Sequence, residues 1–405
     1  MNVLGIDTSC DDTAVAVVAD GRVIRSSVIM SQTRLHAEHG GVVPEVASRR
    51  HLEDMRPAVT RALEEAGLGL NDLDMVAATV GPGLAGSLMV GYNLGRALAL
   101  GRCLSFVPVN HMEGHIYSAW LDPSRLPGSA PLPEEPRFPL LVLIVSGGHT
   151  ELVLMTDHGA FRRLGATRDD AAGEAFDKVG RLLGLPYPGG PSVQRAAADL
   201  PAGQKPIALP RAWLRGGYDF SFSGLKTAVL HLVQEREGQA SPPAPLPTTG
   251  EGSRNPSLST VGEGGRRPSP SAVGDGSEGD PARIVEQKDG PRGLAAQGRL
   301  SPGWVSAVAA GFQDSVADVL ATKTATAARE FGVRDVVLCG GVAANEAVRE
   351  RLRAALPAEA VLHVPPPALC TDNGAMIAAA GYYRRDTAVA PVASIDVQPG
   401  LTLPL

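Results

Sequence analysis

The chain has 405 residues, of which 44% are hydrophobic, and its formal net charge is -6. This length accommodates two domains of ordinary size. The acidic balance excludes a protein that binds nucleic acid unaided over a broad basic surface, but it allows a local basic patch or a partner protein. The four cysteines form no Cys-x-x-Cys pair, which predicts a reducing, cytoplasmic setting.

The first predicted element is a strand-turn-strand unit over residues 3–18, in which Asp7 ends the first strand and Asp11 and Asp12 lie in the polar turn. The same pattern returns at residues 140–155, where Ser146-Gly147-Gly148 form the turn. For either unit alone, a plain β-turn is the simpler interpretation. A matched pair, one in each half of the chain, indicates an internal duplication with a nucleotide held between two lobes, since such turns expose backbone N–H groups to anions.

Residues 75–95 form a stretch without charge, which raises the question of a membrane span. Glycines divide the stretch into a strand over 75–80, a turn, and a helix from about Leu84, so we expect a buried element of a soluble domain and no membrane segment. Residues 81–86 formally match G-x-G-x-x-G. The next strand ends at Asn110 without an acidic residue for a ribose, so dinucleotide binding is not expected.

The apolar run 103–109 predicts a strand that leads into His111 and His115. Two histidines four apart on a helix project from the same face, so both imidazoles can bind one metal ion. Two ordinary surface histidines are the alternative interpretation. Asp372 lies in a loop before an apolar helix that starts at residue 374, and its carboxylate is a candidate third ligand.

Two further segments are candidates for ligand contacts. Asp177 lies on a predicted helix over residues 171–183, close to a glycine-rich turn, although Asp177 and Lys178 can equally be an ordinary surface pair. Asn345 follows a buried strand and a glycine turn at 340–341, at the start of another helix, which is a junction that favours nucleotide binding.

Residues 238–300 differ in kind from the rest of the chain. They are rich in Gly, Pro and Ser, contain no aromatic residue, and show no apolar period. Such a segment cannot bury enough surface to offset its ordering entropy, so we predict a disordered insertion rather than a domain.

Six motifs in register resemble the TsaD family, the tRNA adenosine threonylcarbamoyltransferases that were earlier described as O-sialoglycoprotein endopeptidases. The resemblance is collinear over nearly the whole chain apart from the insertion. The motifs are His-Met-Glu-Gly-His at 111–115, Val-Ser-Gly-Gly-His-Thr at 145–150, Gly-Glu-Ala-Phe-Asp-Lys at 173–178, Asp-Phe-Ser-Phe-Ser-Gly-Leu-Lys-Thr at 219–227, Gly-Gly-Val-Ala-Ala-Asn at 340–345 and Cys-Thr-Asp-Asn-Gly at 370–374.

The resemblance implies an α/β fold of the two-lobed, actin-like ATPase type shared with sugar kinases and chaperone ATPases, with duplicated mixed-sheet domains. We expect a first lobe over residues 1–115, completed by a C-terminal helix at about 374–405, and a second lobe over 116–373. The resemblance further implies one divalent metal ion, Fe²⁺ in preference to Zn²⁺, on His111, His115 and Asp372. Threonylcarbamoyl-AMP, the adenine nucleotide substrate, would contact Ile144, Val145, Ser146, Gly147, Gly148, Asp177, Gly190 and Asn345.

The implied activity is transfer of the threonylcarbamoyl group from this adenylate to the exocyclic N6 amine of the adenosine 3′ of the anticodon, in tRNAs that read codons beginning with A. The implied protein partners are a TsaB-like paralogue, a TsaE-like small ATPase and a TsaC-type enzyme that supplies the adenylate. The family pattern generally has Asp-Glu where this chain has Asp11-Asp12, so a role for the second carboxylate in accepting the amine proton is open.

Two other functions are alternatives to threonylcarbamoyl transfer. A metalloprotease shares the histidine spacing, but the zincin motif places Glu directly after the first His, whereas Glu113 follows two residues later, about 200° around the helix. A non-catalytic ATP-binding scaffold fits the turns equally well but gives no reason for the two histidines and Asp372.

Overall fold

Ten strands build the core of the molecule: β1 (Asn2–Asp7), β2 (Asp12–Ala19), β3 (Val23–Ser31), β4 (Met75–Gly81), β5 (Ser105–Asn110), β6 (Leu140–Val145), β7 (Thr150–Asp157), β8 (Ala160–Ala166), β9 (Asp335–Cys339) and β10 (Val361–His363). The computed structural model describes residues 1–125, 134–214, 216–238, 300–391 and 395–403, and the counts of elements refer to these ranges. The predicted insertion at 238–300 lies outside the described residues except at its two ends.

Eleven α-helices connect and cover the strands. They are α1 (Thr33–Ala37), α2 (Pro44–Ala66), α3 (Ala85–Arg102), α4 (His111–Tyr117), α5 (Ala172–Leu182), α6 (Gly189–Ala198), α7 (Ser223–Gly238), α8 (Pro302–Phe331), α9 (Glu346–Ala355), α10 (Pro367–Cys370) and α11 (Gly374–Tyr383). The uncharged stretch at 75–95 forms β4 and the start of α3, as predicted. None of the helices in the described part of the chain has the length and apolarity needed to cross a bilayer.

The strands form two five-stranded sheets of the same design. The first sheet has the order β3-β2-β1-β4-β5 and the second has the order β10-β9-β6-β7-β8. In each, an antiparallel three-stranded unit (β1 to β3, or β6 to β8) is extended by parallel strands on its other side. The duplication predicted from the two strand-turn-strand units is therefore confirmed.

The helices cover the sheets in three layers. One apolar cluster joins α2 and α3 to the outer face of the first sheet. A second lies between the two sheets and contains residues of α4 and α11. A third joins α5 to α9 to the outer face of the second sheet. Because α4 and α11 occupy the middle layer, side chains at their first residues lie between the two halves of the molecule.

The carboxyl ends of the parallel strands define the edge at which a ligand site is expected. In the first sheet, the neighbouring strands β1, β4 and β5 end at Asp7, Gly81 and Asn110. In the second sheet, β6 and β9 end at Val145 and Cys339 and pair in parallel. These ends carry every motif that the sequence singles out for metal or phosphate binding except the segments at 173–190 and 372.

Candidate metal centre

Two asparagine caps position the predicted metal ligands. Asn110 ends β5 and caps α4, where its side-chain oxygen accepts a hydrogen bond from the Met112 amide at 2.8 Å. Asn373 caps α11 in the same way and accepts from the Met376 amide at 2.9 Å. Asparagine is a preferred N-cap residue because its oxygen satisfies an amide that the helix leaves unpaired. His111 and His115 therefore lie on a helix whose start is fixed, and Asp372 directly precedes the N-cap residue of a second such helix.

His111, His115 and Asp372 come together as predicted, with one potential ligand atom from each lying within 4.8 Å of the others. The Oδ1 atom of Asp372 is 3.5 Å from His111 Nε2 and 3.3 Å from His115 Nε2. Two ligand atoms on one tetrahedral metal ion with bonds of about 2.1 Å lie about 3.4 Å apart. The buried Nε2 of His115 has no hydrogen-bond partner among the described residues. The three residues therefore fit a metal ion.

A second carboxylate contacts His111 at the ring nitrogen that does not face Asp372. Asp7 is fully buried at the end of β1, and its Oδ2 lies 3.2 Å from His111 Nδ1. Its Oδ1 accepts hydrogen bonds from the Thr79 hydroxyl at 2.8 Å and the Ser9 amide at 3.1 Å. The two atoms form an ion-pair contact and not an aligned hydrogen bond. A carboxylate in this place favours the proton on Nδ1 and leaves Nε2 free to bind a metal. Sequence analysis placed Asp7 at the strand end but did not nominate it as a site residue.

The electrostatics of the pocket favour a positive charge. Burial lowers the pKa of His111, but Asp372 and Asp7 outweigh burial and raise that pKa to about 9. Burial raises the pKa of Asp372, whereas the two histidines bring it well below its usual range. Without a metal, a proton takes the place of the cation on this cluster. A divalent ion would displace that proton, since metal ligands must be deprotonated.

The ligands open onto a cavity of about 570 Å³ between the two sheets. Its opposite wall is the turn Ser146-Gly147-Gly148, which follows β6. The Ser146 amide donates to the His149 carbonyl at 2.8 Å and closes the turn. The amides of Gly147 and Gly148 donate no hydrogen bond to any described residue, and the space around both glycines is open. Free amides on a glycine turn suit a phosphate group.

The remaining predicted contact residues differ in their access to this cavity. Asp177 lines it, while its Oδ1 accepts a hydrogen bond from the Gly189 amide at 2.7 Å and its carboxylate also accepts from Gly190. Ile144 and Val145 are buried in β6 and offer only backbone groups at its end. Gly190 and Asn345 are not among the residues that line this cavity.

Asn345 has its side-chain amide engaged within the protein. Its oxygen accepts from the Val348 amide at 3.1 Å and caps α9, and its nitrogen donates to Gln313 Oε1 at 2.8 Å. A nucleotide that used this amide would have to replace the bond to Gln313. The contact predicted for Asn345 therefore stays a prediction.

Asp11 and Asp12, the two candidates for a proton acceptor, occupy different environments. Asp11 lines the cavity. Asp12 begins β2 and is not among the lining residues, and its Oδ1 is buried without a hydrogen-bond partner in the described structure. Burial raises the pKa of Asp12 to about 7.

Several cavity residues were missed as site residues. His149 follows the glycine turn, and burial together with His111 and His115 lowers its pKa to about 4, so it is a neutral imidazole at pH 7. Pro82, Gly83 and Leu84, from the turn that resembles a dinucleotide motif, line the first-sheet side. The sequence could have indicated these residues by their position in the turns that follow β6 and β4, at the carboxyl ends of buried strands.

Glu113, the residue on which a metalloprotease would depend, does not line the cavity. Its Oε2 lies 3.4 Å from Arg384 Nη1 on the other side of α4. This agrees with the orientation predicted from helical geometry. Glu113 is therefore not placed as a zincin-type general base beside the predicted metal ligands.

Comparison with known proteins gives the family. The model of TsaD, described as tRNA N6-adenosine threonylcarbamoyltransferase, matches residues 23–379. The chain belongs to the TsaD family. A protein of Thermomicrobium roseum with that name is 48% identical over 404 residues, covering 100% of this chain and 97% of the relative. A relative of the same name from Symbiobacterium thermophilum is 44% identical over 402 residues, covering 99% and 96%.

The crystal structure of T. kodakarensis HypF supports the fold. It superposes on this TsaD family member with a TM-score of 0.51 at 15% identity, over 95% of this chain and 48% of HypF. At this identity the likeness concerns the fold alone. Together with the two duplicated mixed sheets, the family match establishes the predicted two-lobed, actin-like ATPase fold.

Proposed function

We propose that this TsaD family member transfers the threonylcarbamoyl group from threonylcarbamoyl-AMP to the N6 amine of the adenosine 3′ of the anticodon, in tRNAs that read codons beginning with A. The observation that carries the proposal is one cavity with two chemically different walls. His111, His115 and Asp372 lie on one side, and the free amides of Gly147 and Gly148 lie on the other. The adenylate is an anhydride of a phosphate and a carbamoyl group. Its phosphate would suit the free amides, and its carbamoyl oxygen would suit a metal ion on the other wall.

Binding of the adenylate begins with its phosphate on the turn at residues 146–148. The nucleoside part of the adenylate contacts the end of β6 at Ile144 and Val145. It also contacts the Asp177 carboxylate, the adjacent Gly190, and Asn345. Burial raises the pKa of the Asp177 carboxyl, while the hydrogen bonds from the Gly189 and Gly190 amides act in the opposite direction.

The reaction forms a bond between the N6 nitrogen and the carbamoyl carbon and breaks the bond from that carbon to the phosphate oxygen. AMP leaves with the electron pair, and the attacking amine loses one proton. Asp11, which lines the cavity, is a better placed acceptor for that proton than Asp12. Because the lone pair of an adenine amine is delocalised, most of the rate enhancement comes from positioning and polarisation.

His111, His115 and Asp372 would hold one divalent ion, Fe²⁺ in preference to Zn²⁺. When bound, the ion supplies Lewis acidity to the carbamoyl or phosphate oxygens. Asp7 keeps the proton of His111 on Nδ1 and directs Nε2 toward the ion. Metal analysis of protein purified without added metal tests the identity of the ion.

The proposal includes the division into lobes, 1–115 with 374–405 and 116–373, and the protein partners. A TsaB-like paralogue and a TsaE-like ATPase would assist, and a TsaC-type enzyme would supply the adenylate. The contacts of α11 with β1, β2 and β4 support the assignment of the C-terminal helix to the first lobe. The net charge of -6 favours sharing of the tRNA contact with partners.

The test is a reconstituted assay with adenylate, unmodified tRNA and the partners, in which the modified nucleoside is measured by mass. We expect the wild type to form it and His111→Ala to lose at least about 100-fold in rate, the scale of a lost electrostatic catalyst. His231→Ala, which removes an exposed histidine of α7, is the matched control. Undiminished transfer by His111→Ala would remove the metal from the mechanism, and no product with wild type would remove the function.

A further inference from the structure

Four buried polar residues form a network that the proposed chemistry does not use. Thr13, Gln32, His36 and His51 are each at most 3% exposed, and we call them the histidine network. They come from β2, the end of β3, α1 and α2. Burying this many polar groups is costly unless each has a partner, so the arrangement of their hydrogen bonds is informative.

Backbone partners fix the proton positions of both histidines. The Cys10 carbonyl can only accept, so His51 donates from Nε2 at 3.0 Å, and its Nδ1 accepts from the Thr13 hydroxyl at 2.7 Å. The Val43 amide can only donate, so His36 accepts at Nδ1 at 3.3 Å and donates from Nε2 to Gln32 Oε1 at 3.1 Å. Each ring uses one donor and one acceptor, as a neutral imidazole does.

Gln32 joins the two histidines. Its Nε2 donates to the Ala47 carbonyl at 3.3 Å and lies 3.4 Å from His51 Nδ1. The chain of contacts therefore runs from the Cys10 carbonyl through His51, Gln32 and His36 to the Val43 amide. Its two ends are each next to cavity residues: Cys10 and Asp11 at one end, Gly41 and Val42 at the other.

The segment 40–43 is also bound from across the cavity. Arg181, on α5 of the second-sheet half, donates from Nη2 to the Gly40 carbonyl at 2.6 Å and lines the cavity. The segment is thus held by His36 from beneath and by Arg181 from the opposite half. It forms a wall that these two side chains fix together with the backbone bonds from the Gly40 and Gly41 amides to the Ala37 and His36 carbonyls.

We infer that the histidine network positions the segment 40–43 as the wall on which the acceptor nucleoside of the tRNA docks. The inference rests on the proposed function. The free amides of the second-sheet turn suit the adenylate phosphate, so the first-sheet wall of Cys10, Asp11, Gly41 and Val42 remains for the acceptor base. His36 and Gln32 touch neither substrate and act as positioning residues.

Two substitutions at one position separate the bonds of His36. In His36→Asn the side-chain oxygen lies near the place of Nδ1 and keeps the acceptor for Val43. In His36→Gln the amide group lies near the place of Nε2, so the bond to Gln32 is kept and the bond to Val43 is lost. We expect His36→Gln to raise KM for tRNA about 3- to 10-fold, the factor carried by one hydrogen bond. His36→Asn loses only the bond to Gln32, which acts on the segment through His36, so its KM for tRNA should rise by no more than about 2-fold.

Two further measurements on the full chain, beside KM for tRNA, test the inference. The Kd for AMP, by calorimetry, should stay unchanged in both variants, and amide exchange of Val43 should quicken in His36→Gln alone. Should His36→Gln fold poorly, Arg181→Met removes the other bond of the segment from an exposed position and should raise KM for tRNA without weakening AMP binding.

Equal losses of tRNA and AMP binding, or a fall in kcat at unchanged KM, would overturn the inference, as would unaltered Val43 exchange in His36→Gln. The exchange and AMP measurements need no transfer reaction. A wild type that binds AMP but never modifies tRNA would therefore refute the proposed function separately, while quickened exchange at Val43 would still support the positioning of the wall by His36.

Discussion

Replacing Asp7 by asparagine tests whether the carboxylate behind His111 sets the metal affinity. Oδ1 of Asp7 accepts hydrogen bonds from Thr79 and Ser9, so the oxygen of an asparagine must take that place. The amide nitrogen then faces Nδ1 of His111, which lies 3.2 Å from Oδ2 in the wild type. Because that nitrogen is a donor, the imidazole must accept at Nδ1 and carry its proton on Nε2, the atom that faces Asp372.

The expected loss follows from this change of tautomer. Removing the outer partner of a metal-binding histidine usually weakens metal binding about 10- to 100-fold, or about 1.4 to 2.8 kcal/mol. Asp7→Asn should lie at the upper end, because the substitution does more than remove an acceptor. It places the proton of His111 on the nitrogen that binds the metal.

Competition of the metal-free protein with a chromophoric zinc chelator measures this affinity directly. Asp335→Asn is the matched control, since Asp335 is a buried carboxylate that accepts a hydrogen bond from His363 Nε2 at 2.7 Å and does not line the cavity. It should alter stability but leave the zinc Kd within about 2-fold. A zinc Kd for Asp7→Asn within about 3-fold of the wild type would refute the argument.

Three further outcomes are expected. Burial raises the pKa of Asp12 from its ordinary value of 3.8 to about 7, so its contribution to stability is present below pH 3.8 and is lost as the pH rises to 7. Asp12→Asn should therefore exceed the wild type by up to about 4 kcal/mol in urea unfolding at pH 8 and match it near pH 4. Zinc at about 100 times its Kd should raise the free energy of unfolding by about 2.7 kcal/mol, an increment that Asp372→Ala abolishes; a persistent increment would place the metal elsewhere. A Cβ on Gly5 would lie 2.2 Å from the Gly374 carbonyl oxygen, whereas one on Gly101 meets nothing within 4 Å, so Gly5→Ala should lose about 3 kcal/mol in thermal unfolding and Gly101→Ala none.

The features predictable from sequence are those encoded over short distances. The alternation of apolar strand and polar turn identified both hairpins, because period and turn residues are local signals. The four-residue spacing of His111 and His115 likewise requires only helical geometry. Asp372 was predicted as their partner through its loop and the family motifs, and α4 and α11, the helix that follows Asp372, meet in the middle layer.

Other features depend on which strands become neighbours. Asp7 lies beside His111 because β1, β4 and β5 are successive strands of the first sheet and end at the same edge. Sequence periodicity does not specify this strand order. The histidine network joins residues of four elements in the same way. Asn345 shows that one sequence pattern can fit two roles, since a position before a helix suits a nucleotide contact and an N-cap equally. The described structure shows the cap.

The glycine between the two histidines connects motif, packing and metal site. A Cβ on Gly114 would lie 2.8 Å from Ile377 Cδ1 and 3.2 Å from Met376 Cγ, so a larger residue would require these side chains to shift or α4 and α11 to move apart. His115 directly follows Gly114 on α4 and lines the cavity, and Asp372 lies two residues before α11 begins. The separation of 3.3 Å between His115 Nε2 and Asp372 Oδ1 is therefore set by the packing of the two helices. The predicted metal site therefore depends on a small residue at position 114 as well as on its ligands, because the histidines and Asp372 are far apart in the chain and the packing of α4 against α11 brings them together.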